Sequence, residues 1–243
     1  MNHGPLVFLG VFFAVVASWF GLVVGPDLQL GDEEMVTIEA TGQSYPLARS
    51  GEARQGAEVY RANGCYYCHT QQVRDRADGP DLARHWGTRR TVARDYLRDE
   101  PVMLGDLRLG PDLSNLGARE TNTTTLLLKL YNARISMPGS TMPRYAFLFE
   151  QRKREPGHGA PAGALPLPPA FAPPVGYDVV PRPAALALVS YLQSLEAKPV
   201  FYEVFPTPPP KKATNHVAGT NVVAGATPMT NAPVAPSTAQ PAK

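Results

Sequence analysis

Apolar and polar positions along this chain fall into sharply different regimes. Leu6 to Val24 is dominated by Phe, Val, Leu and Ala, and no charged residue occurs from Pro5 to Gly25. About 20 such residues make a helix about 30 Å long, the thickness of a bilayer's hydrocarbon core. The run therefore predicts a transmembrane anchor over 5–25. Met1 to Gly4 lacks the basic residues of a secretory signal, and Val23-Val24-Gly25-Pro26 makes a poor cleavage site. The segment is therefore expected to be retained. Trp19 and Phe20 suit an interfacial position. Residues 26–49 read as a polar connector, acidic at first (Asp27, Asp32, Glu33, Glu34), with a strand-like piece at Met35–Ala40.

From Ser50 the period changes. Glu52 to Ala62 has helical spacing, with Gly56 and Tyr60 four apart and Val59 beside them. Thr70 to Arg98 is polar and arginine-rich, a long loop with a short helix at Val92–Arg98. Thr123 to Ile135 predicts a helix capped by Asn122 or Thr123, with Leu126, Leu127 and Leu130 as its apolar stripe and Pro138 as its stop. The segment 156–183 is rich in Pro, Ala and Gly and reads as an irregular surface loop. Ala184 to Ala197 returns to helix, burying Leu188, Tyr191, Leu192 and Leu195. Residues 206–243 hold almost no large apolar side chain and are expected to be disordered, since they bury too little surface to offset ordering entropy. The prediction is a mainly α chain: a single N-terminal transmembrane helix followed by one domain over 50–205 with long Pro-rich loops.

Composition sharpens this picture in one respect. There are 26 prolines and 21 glycines in 243 residues, so much of the chain is loop. A net charge of +2 gives no argument for nucleic acid as a partner. The 2 cysteines matter more, because both fall in Cys65-Tyr66-Tyr67-Cys68-His69. Two thiols three residues apart followed by histidine is the attachment pattern of a c-type haem. The thiols reach one edge of the porphyrin to form thioethers, and the imidazole meets the iron as proximal ligand. A zinc site would need more soft ligands than this chain offers, and a thioredoxin-like dithiol would need a βαβ pattern that is absent. Haem c attachment takes place outside the bacterial cytoplasmic membrane, so the haem domain is expected in the periplasm. A class I cytochrome c-like domain would cross its first and last helices at a glycine against an aromatic, and Gly56 with Tyr191 supply that pair.

An electron carrier needs a sixth iron ligand, usually methionine. Met103, Met137 and Met142 are candidates, the last two in the loop Ser136 to Tyr145. A metal-bound imidazole donates its other nitrogen to a carbonyl or carboxylate. Two turns, Gly79-Pro80-Asp81-Leu82 and Gly110-Pro111-Asp112-Leu113, could provide the carbonyl, and spacing from His69 favours Pro80. An open iron position would instead indicate a haem enzyme or gas sensor.

The stretch Glu58-Val-Tyr-Arg-Ala-Asn-Gly-Cys-Tyr-Tyr-Cys-His-Thr-Gln-Gln-Val-Arg74 resembles the haem motif of subunit II of cbb3-type cytochrome c oxidase, a membrane-anchored mono-haem subunit. Trp86-Gly87, Arg108-Leu-Gly-Pro-Asp-Leu113 and Ser140-Thr-Met-Pro-Arg-Tyr145 extend the likeness over about residues 5–150, together with the terminal helix ending Tyr191-Leu-Gln-Ser-Leu195. The resemblance implies a covalent haem c on Cys65 and Cys68, axial ligands His69 and Met142, and support of His69 by Pro111 rather than Pro80. It also implies an electron-transfer role in a proton-pumping haem–copper terminal oxidase. The donor would be another cytochrome c, subunit or soluble, and the acceptor the haem b of a multi-span catalytic subunit. This chain itself would hold no oxygen-reducing centre. The departures are the insertion between Trp86 and Gly110, the Pro-rich loop and the long tail. Alternatives are the anchored cytochrome subunit of nitric oxide reductase and a free-standing anchored cytochrome c.

Overall fold

The computed structural model describes residues 3–155 and 157–199. The apolar run forms α1 (Gly4–Trp19), one π turn at Phe20–Val24 and α2 (Gly25–Leu30). Together they make a helix of 27 residues, about 40 Å long at the α-helical rise, so it extends past the boundary expected at Gly25. Pro26 accounts for the wide turn. Its ring crowds the carbonyl one turn back, and the backbone relaxes so that Gly25 N–H donates to Phe20 O, five residues away. Leu6, Phe8, Phe12, Phe13, Val15, Phe20 and Leu22 are exposed around this helix. A helix apolar on every side is apolar enough to cross a membrane by length and composition.

Beyond it the chain makes a hairpin, β1 (Val36–Ile38) antiparallel to β2 (Gln43–Tyr45), with Val36 opposite Tyr45. The sequence signalled only the first strand. Gly42, at φ +67°, turns the chain into the second. The connector is tied down by the arginine-rich insertion. Arg94 pairs with Glu33 at 2.5 Å and also donates to the Glu34 carbonyl. Arg98 donates to the Pro46 carbonyl at 2.8 Å, and Arg49 pairs with Asp99. Tyr45 donates to Asp95 at 2.7 Å, and the same buried carboxylate is paired with Arg89. The helix expected at Val92–Arg98 shrinks to one 3-10 turn, Ala93–Tyr96. Its side chains reach outward to the connector instead of packing along a helix face.

The main body is built on α3 (Gly51–Ala62), α4 (Leu116–Arg119), α5 (Thr123–Asn132) and α6 (Pro183–Gln193). Ser50 caps α3 by accepting from Ala53 N–H at 3.1 Å, and Asn122 caps α5 by accepting from Thr125 N–H at 3.1 Å. Ala53, Gly56 and Tyr60 form the buried stripe of α3, packed against Leu188 and Tyr191 of α6. A Cβ on Gly56 would sit 1.9 Å from the Ala187 carbonyl oxygen, so only glycine permits this crossing. The rings of Tyr60 and Tyr191 lie 5.3 Å apart beside it. Leu126, Leu127 and Leu130 of α5 join the same core.

One expectation needs correction. The segment 156–183 is not irregular throughout, because β4 (Tyr177–Pro181) pairs antiparallel with β3 (Phe149–Lys153), Gln151 opposite Val179. Val179 and Val180 are both buried, so the strand lacks the alternation that marks a half-buried strand in sequence. The expected disordered tail, 206–243, lies outside the described residues.

Candidate functional site

The Cys65–His69 stretch begins where α3 ends. Gly64 takes the left-handed conformation at φ +65°, and the chain reverses into a 3-10 turn at Cys65–Tyr67. His69 N–H donates to the Cys65 carbonyl at 3.0 Å, which folds the five residues into one compact bend. Both cysteines are free thiols, Cys65 buried and Cys68 half-buried. Burial pushes the Cys65 thiol up to about 11.

A second strand of chain runs alongside this bend. Leu104 O accepts from Gln71 N–H at 2.8 Å, Asp106 N–H donates to Tyr66 O at 3.0 Å, Gly110 N–H to Cys68 O at 2.9 Å and Leu113 N–H to Thr70 O at 2.8 Å. This ladder brings Gly110 against the His69 ring, where a Cβ would lie 2.2 Å from Cε1. The next residue places its carbonyl on the imidazole: His69 Nδ1 lies 2.8 Å from Pro111 O. Nε2 is thereby the nitrogen left for another partner. Burial pushes the imidazole's pKa down, against the Pro111 carbonyl and the Asp112 charge, which favours the neutral form that binds metals.

Spacing favours Pro80 for the contact with His69 and the family resemblance Pro111, and it is the Pro111 carbonyl that lies at the imidazole. The Gly79–Leu82 turn has other work. The fully buried Asp81 carboxylate accepts from Arg74 N–H at 2.8 Å and pairs with Arg74 at 3.1 Å and Arg108 at 2.5 Å. Asp112, equally buried, accepts from Thr70 Oγ1 and Gln72 N–H at 2.7 Å each, and from Ser114 N–H at 2.9 Å and Oγ at 2.6 Å. The two turns thus pin alternate amides, 72 and 74, of an otherwise irregular stretch. Neither carboxylate nor Gly110 was singled out from the sequence. The sequence carries the signal, since Gly-Pro-Asp-Leu occurs twice, but the repeat does not show which amides its aspartates meet.

Among the three candidate methionines, Met137 is 63% exposed, whereas Met103 and Met142 are partly buried against the core. The Met142 loop is fastened near Cys65. Tyr145 N–H donates to Leu130 O at 3.1 Å. Burial and the adjoining Cys65 push the Tyr145 phenol up to about 12. Two unpaired thiols in one bend and an imidazole with one ring nitrogen occupied are groups that could hold a haem, and the thioethers of Met103 and Met142 are both half-buried against the same core. Among the described residues, no group of three or more His, Cys, Asp and Glu could hold a bare metal ion.

The model of a protein family described as "Cytochrome C oxidase, mono-heme subunit/FixO" matches residues 3–158. No curated protein matches the chain.

Proposed function

The chain belongs to the family of the mono-haem subunit of cytochrome c oxidase (FixO), and on that premise we propose the electron path it serves. It takes electrons from another cytochrome c and passes them to the haem b of a multi-span haem b/copper catalytic subunit in a cbb3-type, proton-translocating terminal oxidase. The observation that carries this reading is His69, held through Nδ1 by Pro111 with Nε2 left open, beside two free thiols.

Bound here, the haem supplies reversible one-electron chemistry at its iron. The chain's residues do the rest. Cys65 and Cys68 would hold the haem covalently, each through a thioether. His69 would hold the iron through Nε2, and Met142 would offer it a soft thioether sulfur. Pro111 fixes the ring's tautomer and plane. The helix over 4–30 anchors the subunit in the bacterial cytoplasmic membrane, and the domain from 50 onward stands in the periplasm on the clamped connector. No oxygen-reducing centre is assigned to this chain.

Purification of the tagged chain from membranes in mild detergent tests the partnership. A multi-span haem b/copper chain is expected to accompany it, with oxygen uptake driven by reduced cytochrome c. Isolation of this chain alone, under conditions that keep other membrane complexes intact, would overturn the proposed role.

A further inference from the structure

The Pro111 carbonyl that holds His69 belongs to a residue whose neighbour is a buried anion. The Asp112 carboxylate is 0% exposed, and its close hydrogen-bond donors, from Thr70, Gln72 and Ser114, are all uncharged. Its nearest guanidinium, on Arg108, is 4.0 Å away and is engaged by Asp81 at 2.5 Å. Arg119 donates to the Asp112 backbone carbonyl. Asp112 therefore grips the chain on both sides of the site. It binds Thr70 and Gln72 just after His69, and Ser114 just after Pro111, so this carboxylate ties together the two segments that carry Nδ1 and the Pro111 carbonyl.

We propose that Asp112 is a positioning residue that sets the reduction potential of the His69-bound haem, through its fixed buried charge and its hold on Pro111. Both actions have the same sign. A buried negative charge beside His69 favours the oxidised, more positive state. A firm carbonyl acceptor on Nδ1 makes the imidazole more basic, which favours the same state. This inference rests on the proposed attachment of haem at Cys65, Cys68 and His69.

The test is a redox titration of the detergent-purified protein and its variants. Asp112→Asn keeps the shape and removes the charge. It should shift the electron-exchange equilibrium with a fixed mediator about tenfold or more toward the reduced protein, or about 59 mV for a one-electron couple. Asp95→Asn, which neutralises a buried carboxylate tied to the connector, should lower stability and leave the potential alone. A haem-loaded Asp112→Asn protein with unchanged potential and lowered stability would reduce Asp112 to a structural role and overturn the proposal. If Asp112→Asn does not retain haem, Thr70→Val decides. It keeps the carboxylate but removes one of the bonds by which Asp112 grips the chain beside His69, so the potential should move, and an unmoved potential would overturn the proposal. A wild-type chain without haem absorption would instead fail the attachment reading on which this one rests.

Discussion

Gly110 has no side chain, and the site depends on that. A methyl there would overlap the His69 ring, 2.2 Å from Cε1, and the same ring is held at Nδ1 by the Pro111 carbonyl. Gly110→Ala is expected to displace the imidazole and lower haem content severalfold, read as haem absorbance per polypeptide. Gly139→Ala, where a Cβ would meet nothing within 4 Å, should leave haem content unchanged. Met142 has the complementary test. Met142→Leu should abolish the sulfur-to-iron charge-transfer absorption and lower the potential, because leucine fills the space without the thioether. Met137→Leu and Met103→Leu should preserve both. Loss of that absorption in Met137→Leu alone would move the ligand to the exposed end of the loop.

The two Gly-Pro-Asp-Leu turns and the connector clamp act as elements. Burial pushes the Asp81 carboxyl up, but Arg74 and Arg108 outweigh it and hold it at about 2, below its ordinary 3.8. A carboxylate with a depressed folded-state pKa contributes stability that is complete above the unfolded value and disappears as pH falls through the folded one. Asp81 should therefore stabilise the domain fully above about pH 4 and progressively less down to about pH 2. Denaturant titrations across that window should show the slope in the wild type and a flatter dependence in Asp81→Asn, which would be less stable at neutral pH. The clamp gives a different readout. Arg94→Ala removes the pairing with Glu33 and Glu34, and limited proteolysis within 33–49 should become faster while the haem spectrum stays unchanged. These elements were the hardest to read in advance. Helices α3, α5 and α6 carry a 3.6-residue apolar period and were legible, although α6 ends at Gln193 and not at Ala197. The clamp is made of long polar side chains crossing 50 or 60 residues of sequence, and no periodicity reports such contacts. The choice of Pro111 over Pro80 was legible through the family resemblance but not through spacing. Loop closure cost grows slowly with length, so proximity in sequence was a poor guide to which turn meets His69.

For the molecule as a whole, the sequence announced both ends of the argument, a helix apolar on every side and a Cys-x-x-Cys-His bend. It left the packing between them to the structure. The α3–α6 crossing shows how strongly that packing is constrained. Gly56→Ala would drive a methyl into the Ala187 carbonyl at 1.9 Å, and overpacking of this kind costs about 1–3 kcal/mol, readable as a lower denaturation midpoint. The β3–β4 hairpin went unseen because its valines are buried side by side within a proline-rich stretch. The central claim is a single membrane-anchored chain carrying one covalent haem, and intact-mass measurement of the mature protein under denaturing conditions addresses it most directly. The account predicts a chain that includes residues 5–25 and is heavier by the mass of one haem. A chain of unmodified mass, or one beginning after Gly25, would contradict it.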